Sequence, residues 1–242
     1  MSEWKRKRFW TAAEVVPEAE GFAVRLDGRP LRTPAKTALT LPSAALAAAI
    51  AAEWDAQEGE VDPGTMPCTR TANSALDKVA VQCAEVADML ADYGGTDLLC
   101  YRAETPDELV ARQAAAWDPL LDWAARALGA PLNVGRGVMH IAQPETSTAR
   151  LREIVHEHDP FELAALHDLV AMSGSLVLGL AAARDVAPAQ EIWDLSRVDE
   201  DWQAEQWGID EEAAETAAYK RGEFLQAKRF LDLVRGKTLP EI

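Results

Sequence analysis

Cysteine is scarce and poorly placed for cross-linking. The chain has three, Cys68, Cys83 and Cys100, an odd and scattered set without a C-x-x-C pair. A disulfide framework is therefore not expected, and buried free thiols in a reducing compartment are. Long apolar runs are missing as well. The least polar stretch, LVAMSGSLVLGLAAA at 169–183, is shorter than the ~20 residues needed to cross a bilayer. The N-terminal MSEWKRKRFW has a basic cluster but no apolar segment behind it, which excludes a secretory signal. A soluble, intracellular chain without membrane insertion is expected.

Positive charge is the third shortage. The net charge is -16, and it is unevenly spread: residues 1–36 hold eight Lys or Arg against five Asp or Glu, leaving 16 basic and 35 acidic residues for the remainder. A nucleic-acid binder needs a dominant basic face to displace counterions, and most of this chain has the opposite sign. A basic or partly unfolded protein partner suits it better. Phosphate-cradling loops are absent too. Arg29 and Arg32 stand near Gly28, but neither G-x-x-x-x-G-K-[ST] nor G-x-G-x-x-G occurs. SGSLVLG at 173–179 lacks the G-x-S-x-G spacing of a nucleophile elbow and lies in an apolar helical run. No cofactor is expected.

What is present is a 48% hydrophobic content over 242 residues, enough for one large or two small domains with a proper core. Residues 8–42 read as strands and turns. Phe22, Val24 and Leu26 alternate along one face, and Asp27-Gly28 supplies a tight hairpin turn. At Ser43 the period changes: a good N-cap precedes AALAAAIAAEWDAQ, with Leu46, Ile50 and Trp54 at four-residue spacing, and the helix runs to about Glu58. Turn-rich residues 59–67 are the expected domain junction. Beyond them, helices are predicted near 69–93, 106–128, 146–157, 160–183, 187–206 and 210–235, with DLLCYR and GVMHIAQ extended. The fold class is therefore α+β: a small antiparallel β-domain with one helix at 1–60, and a larger all-α domain at 61–242. Helix 160–183, apolar on more than one side, is the expected central helix. The last helix places Ala213, Ala217, Phe224, Ala227, Leu231 and Val234 on one stripe that should pack on a bundle.

Two groups invite a catalytic reading. His156, His158 and His167 lie near Glu157, Asp159 and Asp168, but His156 and His158 point in different directions on a helix and His167 lies beyond the break at Pro160. No metal is expected there. Paired carboxylates are abundant, which makes any one pair weak support for acid–base chemistry. A carboxylate–histidine hydrolase stands as the alternative function, and it requires these histidines to converge on a carboxylate in a pocket. Aromatics carry more. WDPLLDW at 117–123 and Trp54 read as core anchors. In RVDEDWQAEQWGID, residues 197–210, Val198, Trp202, Glu205 and Ile209 stack along one side of a helix. Trp207 sits about 140° from Trp202, beside Glu200 and Glu211. It either covers the helix end at Gly208 or faces a partner.

KRFW at 7–10, LDGRPLRTP at 26–34, LPS with EW at 41–54, MPCT at 66–69, DLLCYRA at 97–103, WDPLLDW at 117–123 and the WG of the acidic stretch occur in order over nearly the whole chain. In this combination the sequence resembles the ATP synthase assembly chaperone family known in words as ATP twelve. In animals its member is mitochondrial F-ATPase complex assembly factor two. The resemblance implies a non-enzymatic chaperone that holds the unassembled alpha subunit of the catalytic sector until the beta subunit replaces it. It also implies a small N-terminal β-domain before a larger helical one. Mitochondrial members carry an import sequence, whereas this chain opens directly at the KRFW region, so a bacterial form acting in the cytoplasm is expected, monomeric when free. The family's important acidic residue falls on Asp199 or Glu200, and its important tryptophan on Trp54 as a fold-integrity residue. The expected partner-binding face comprises Asp199, Glu200, Gln203, Trp207 and Glu211.

Overall fold

The first strands assemble around a turn that the sequence marks. In the computed structural model, which describes residues 7–237, β1 (Ala13–Glu18) pairs antiparallel with β2 (Gly21–Leu26). Lys5 and Arg6 of the N-terminal basic cluster lie outside the described residues. Asp27 and Gly28 take positive φ angles of 46° and 79°, the two-residue turn whose twist suits a hairpin. They return the chain as β3 (Arg29–Pro30) beside β2, and β4 (Thr40–Leu41) pairs with the other end of the same edge. Val24 and Leu26 are buried as their alternation predicts, and Phe22 is half-buried.

Helix α1 (Ala44–Asp55) packs against β1 and β2. Ser43 caps it, its hydroxyl oxygen accepting the Leu46 N–H at 3.0 Å, and Leu46, Ala47 and Ile50 are wholly buried. The far end of the helix is closed by Arg8 of the KRFW segment, whose guanidinium donates to the carbonyls of Asp55 and Gln57 at 2.6 Å each. Trp54 meets Trp10 edge-on, with ring centroids 5.1 Å apart.

The residue beside Trp54 does more than its sequence context shows. Glu53 accepts from the backbone N–H groups of Cys68 and Thr69 at 2.6 and 2.8 Å and from the Thr69 hydroxyl at 2.7 Å. It thereby satisfies the first turn of α2 (Pro67–Ser74), where Met66 makes no side-chain cap. Buried Gln57 pins the loop between, donating to Thr65 Oγ1 and accepting the Asp62 N–H. Glu53→Ala is expected to lower stability by about 2 kcal/mol, the upper end for a lost cap, read as a shifted urea midpoint with unchanged slope. A midpoint equal to wild type would show that Glu53 holds nothing.

Residues 7–83 form one compact unit with residues 160–165 and 229–237. Within it the Ser43 hydroxyl donates to the Leu233 carbonyl, and Arg235 pairs with Glu162 at 2.7 Å. The loop at 59–67 lies inside this unit.

The second unit comprises residues 84–159 and 166–228. Its elements are α3 (Cys83–Ala91), β5 (Tyr101–Arg102), α4 (Asp107–Trp123), β6 (Gly135–Arg136), α5 (Glu145–His156), α6 (Pro160–Ser173), α7 (Leu176–Ala183), α8 (Ala189–Leu195), α9 (Val198–Trp207) and α10 (Glu211–Val234). The end residues of α3, α6 and α10 belong to the first unit. The N-terminal antiparallel sheet followed by helices is the α+β class predicted. DLLCYR is extended only at Tyr101–Arg102, after a 3-10 turn at Leu98–Cys100, and its parallel partner is Gly135–Arg136, just ahead of GVMHIAQ, which itself forms no strand.

Two predicted helices are each interrupted by non-helical residues. The run at 160–183 breaks at Gly174, whose φ is 73°. Ser175 then caps α7, its oxygen accepting the Leu178 N–H at 3.0 Å, while the carboxylate of Asp97 takes the Ser175 hydroxyl at 2.7 Å and the Val177 N–H at 3.0 Å. Every residue of α7 is buried, so it is the inner helix of this unit. It approaches α6 closely, because a Cβ at Gly179 would lie 2.6 Å from Val170 Cγ2. The run at 187–206 breaks between Leu195 and Val198, where the Trp117 indole donates to the Leu195 carbonyl at 2.7 Å and the Ser196 hydroxyl bonds back to the Trp193 carbonyl at 2.6 Å.

Candidate functional site

Helix α9 turns one side to α4 and the other to water. Val198 is buried and Trp202 half-buried, whereas Trp207 is 80% exposed. Ile209, which helical rotation stacks with Val198 and Trp202, is 76% exposed. The helical rotation does not reach it, because Gly208 takes φ 92° and ends α9. Asp210 then starts α10 as its N-cap, accepting the N–H groups of Glu212 and Ala213 at 3.0 and 3.1 Å.

The two helices enclose a groove of about 530 Å³. Ala204 lines it from α9, and Ala213, Ala214, Ala217 and Ala218 line it from α10, with Trp207 and Ile209 completing its apolar side. The predicted burial of Ala213 and Ala217 in a bundle is corrected here. Ala213 is exposed and Ala217 half-buried, and full burial on α10 begins at Phe224. An alanine methyl buries too little surface to hold a helix down; Phe224, Ala227, Phe230 and Leu231 together do.

Acidic groups outnumber basic ones around this groove, with Asp194, Glu200, Asp201 and Asp210 against Arg197 and Arg221. Both cations are engaged: Arg197 pairs with Glu200 at 2.8 Å, and Arg221 donates to Gln190 at 2.6 Å. Glu205 faces elsewhere, its two oxygens held by Arg112 at 2.8 and 2.7 Å. That contact draws the Glu205 carboxyl below its ordinary range and raises Arg112.

The structure brings Glu200, Gln203 and Trp207 together along the groove. Glu211 is exposed in the first turn of α10, beside the lining residue Asp210. Asp199 is placed differently. It is half-buried and accepts from Gln113 Nε2 at 2.6 Å, and Gln113 in turn accepts the Ala103 N–H at 2.8 Å. Asp199 thus fixes α9 onto α4 and the segment after β5. Trp54 belongs to the other unit. The alanine row and Ile209 were absent from the sequence-predicted face. Their only signal was the spacing of alanines at 213, 214, 217 and 218 ahead of the buried stripe.

The three histidines do not converge. His156 contacts Asp88 at 2.8 Å, His158 the carbonyl of Ile154 at 3.0 Å, and His167 its neighbour Asp168 at 2.9 Å. The Asp168 contact raises the His167 pKa, and the hydrogen bond from His156, with Arg152 beside it, lowers that of Asp88. The Cys100 thiol is pushed up to about 12 by burial, with the charge of Asp97 adding to it, which makes it a poor nucleophile. Among the described residues no group of histidine, cysteine and carboxylates could hold a metal ion, and no helix is long and apolar enough to cross a membrane.

Residues 7–125 match the family model described as ATP12 chaperone protein. The chain is similar to Atp12 from Paracoccus denitrificans, with 52% identity and a TM-score of 0.94 over 96% of this chain and 100% of that one. It is equally similar to an aspartate-to-lysine variant of that protein, at 52% identity and a TM-score of 0.95 over 97% and 100% of the two chains. The mitochondrial protein atp12 of Schizosaccharomyces pombe is 25% identical over 221 residues, 86% of this chain and 76% of that protein.

Proposed function

The chain belongs to the ATP12 chaperone family, which serves ATP synthase assembly, and we propose that it binds the unassembled alpha subunit of the catalytic sector and shields it until the beta subunit takes its place. The observation that carries this reading is the 80% exposure of Trp207 on an alanine-lined, acid-rimmed groove. A subunit made ahead of its neighbours displays surface destined for burial, and such surface drives aggregation. A protein that shields it needs apolar area for affinity and charge for orientation and fast capture. Trp207 is the anchor of this face, with Glu200, Gln203 and Glu211 around it. Asp199 serves the face through Gln113, by holding α9 in place. Trp54 serves the fold, and the function needs no cofactor.

The site of action in this reading is the bacterial cytoplasm. With a net charge of -16, copies of the chain repel one another, in keeping with a monomer when free. Mixing the purified chain with alpha and with beta should give a stable complex with alpha alone; a complex with beta instead would reassign the partner.

Charge on the rim acts mainly on encounter. Glu200→Lys is expected to slow association with alpha by about 3- to 10-fold at low salt, an effect that fades as the Debye length shortens toward ~3 Å at 1 M. The exposed Arg197–Glu200 pair holds about 1 kcal/mol at most, so the melting temperature should scarcely move. Stopped-flow mixing across a salt series measures this. A rate indifferent to the substitution at every salt would take Glu200 out of the face.

A further inference from the structure

We propose that the groove between α9 and α10 receives an amphipathic α-helix of the partner, aliphatic on its inner face and carrying lysine or arginine along its edges. This rests on the partner-binding reading above and specifies the chemistry of the segment that enters.

Both walls of the groove are helices, so nearly all their backbone N–H and C=O groups are already paired. Neither wall offers a strand edge for a β-segment to extend. An incoming segment must satisfy its own backbone, and an α-helix does so. The alanines along the α10 wall let a third helix approach to about 8 Å, the short end of the range for packed helices. Trp207 and Ile209, 80% and 76% exposed, stand together at the turn and supply the two large apolar side chains that an otherwise shallow site needs.

Charge selects the occupant. Four carboxylates and two guanidiniums line the groove, and both guanidiniums already have partners. Glu211, Glu212 and Glu215 extend the negative side along the exposed start of α10. A second copy of this chain would bring the same acidic surface and a net charge of -16, so it is disfavoured as occupant.

The test uses two synthetic 16-residue helical peptides with leucines at i, i+3, i+4 and i+7, one with lysines on its flanks and one with glutamates. Calorimetry compares the full wild-type chain with Ala214→Gln, a substitution that roughens the groove with a good helix former and keeps charge constant. The lysine peptide should bind wild type and weaken at least 10-fold on Ala214→Gln. The glutamate peptide should bind at least 10-fold more weakly than the lysine peptide. No binding of the lysine peptide, equal binding of both peptides, or equal binding to both proteins would each overturn the proposal. A concentration-dependent dimer abolished by Ala214→Gln would also overturn it, by assigning the groove to a second copy. Purified alpha is titrated in parallel. Alpha held equally by wild type and Ala214→Gln would overturn the groove while leaving the alpha reading standing. A lysine peptide that binds as expected beside an alpha subunit that does not would uphold the groove and remove alpha as its owner.

Discussion

Replacing Asp97 with alanine is expected to cost the fold about 3–5 kcal/mol, the range for stripping a buried charged group from its partners, and to lower the melting temperature by roughly 10 °C. Asp97 opens the DLLCYRA segment and is wholly buried. One of its oxygens accepts the Leu99 N–H at 3.1 Å and the Ser175 hydroxyl at 2.7 Å; the other accepts the Val177 N–H at 3.0 Å. The carboxylate therefore closes two helical N-termini at once, that of the Leu98–Cys100 turn and that of α7. Alanine leaves three donors without an acceptor in a space that water does not reach. Asparagine should be nearly as harmful, because its NH2 would face the Val177 N–H, donor against donor.

The pH dependence of that loss follows from the sign of the Asp97 shift. Burial raises its pKa above the ordinary 3.8, and the hydrogen bonds oppose the rise without cancelling it. The folded chain thus holds the proton to a higher pH than the unfolded chain does. The contribution of Asp97 is fullest below the unfolded value and declines as pH rises toward the folded one. The difference in melting temperature between wild type and Asp97→Ala should therefore be larger near pH 4 than at pH 8. A gap that widened with pH would mean that the donors stabilise the ionised form beyond its cost of burial.

Asp97 also marks the limit of what the sequence discloses. The hairpin at Asp27-Gly28 and the cap at Ser43 are local chemistry: a left-handed pair and a hydroxyl ahead of an apolar run determine their own geometry. The break at Gly174-Ser175 is not local. Within an apolar run those residues read as small helical ones, and the group that stops the helix is a carboxylate 78 residues earlier. The division of α8 from α9 is of the same kind, with the Leu195 carbonyl drawn off by the Trp117 indole from 78 residues away. The candidate face divides along the same line. Helical rotation alone separates Trp207 from Val198 and Trp202, and the indole is exposed. Rotation assigns no partner to Asp199, which Gln113 of α4 holds, and it stops applying to Ile209 once Gly208 turns the chain. The alanines were legible as helix formers but not as a groove wall, since an alanine has the same helix propensity whether or not another helix covers it.

Trp207→Ala is expected to weaken alpha binding by about 30-fold, or about 2 kcal/mol for one large apolar side chain withdrawn from a buried contact. Stability should change by less than about 0.5 kcal/mol, because an indole with 80% of its surface in water contributes little to the folded chain. Short-range apolar contact forms after encounter, so the loss should appear in the dissociation rate. That separates it from Glu200→Lys, whose effect lies in association and disappears in salt. Trp207→Phe, which keeps an apolar ring but not its full area, should fall between wild type and alanine. A Trp207→Ala protein that melts several degrees lower yet holds alpha as tightly as before would turn this assignment around: the indole would be a cover for the helix end at Gly208, and the anchor of the face would have to be sought among the other side chains of the groove.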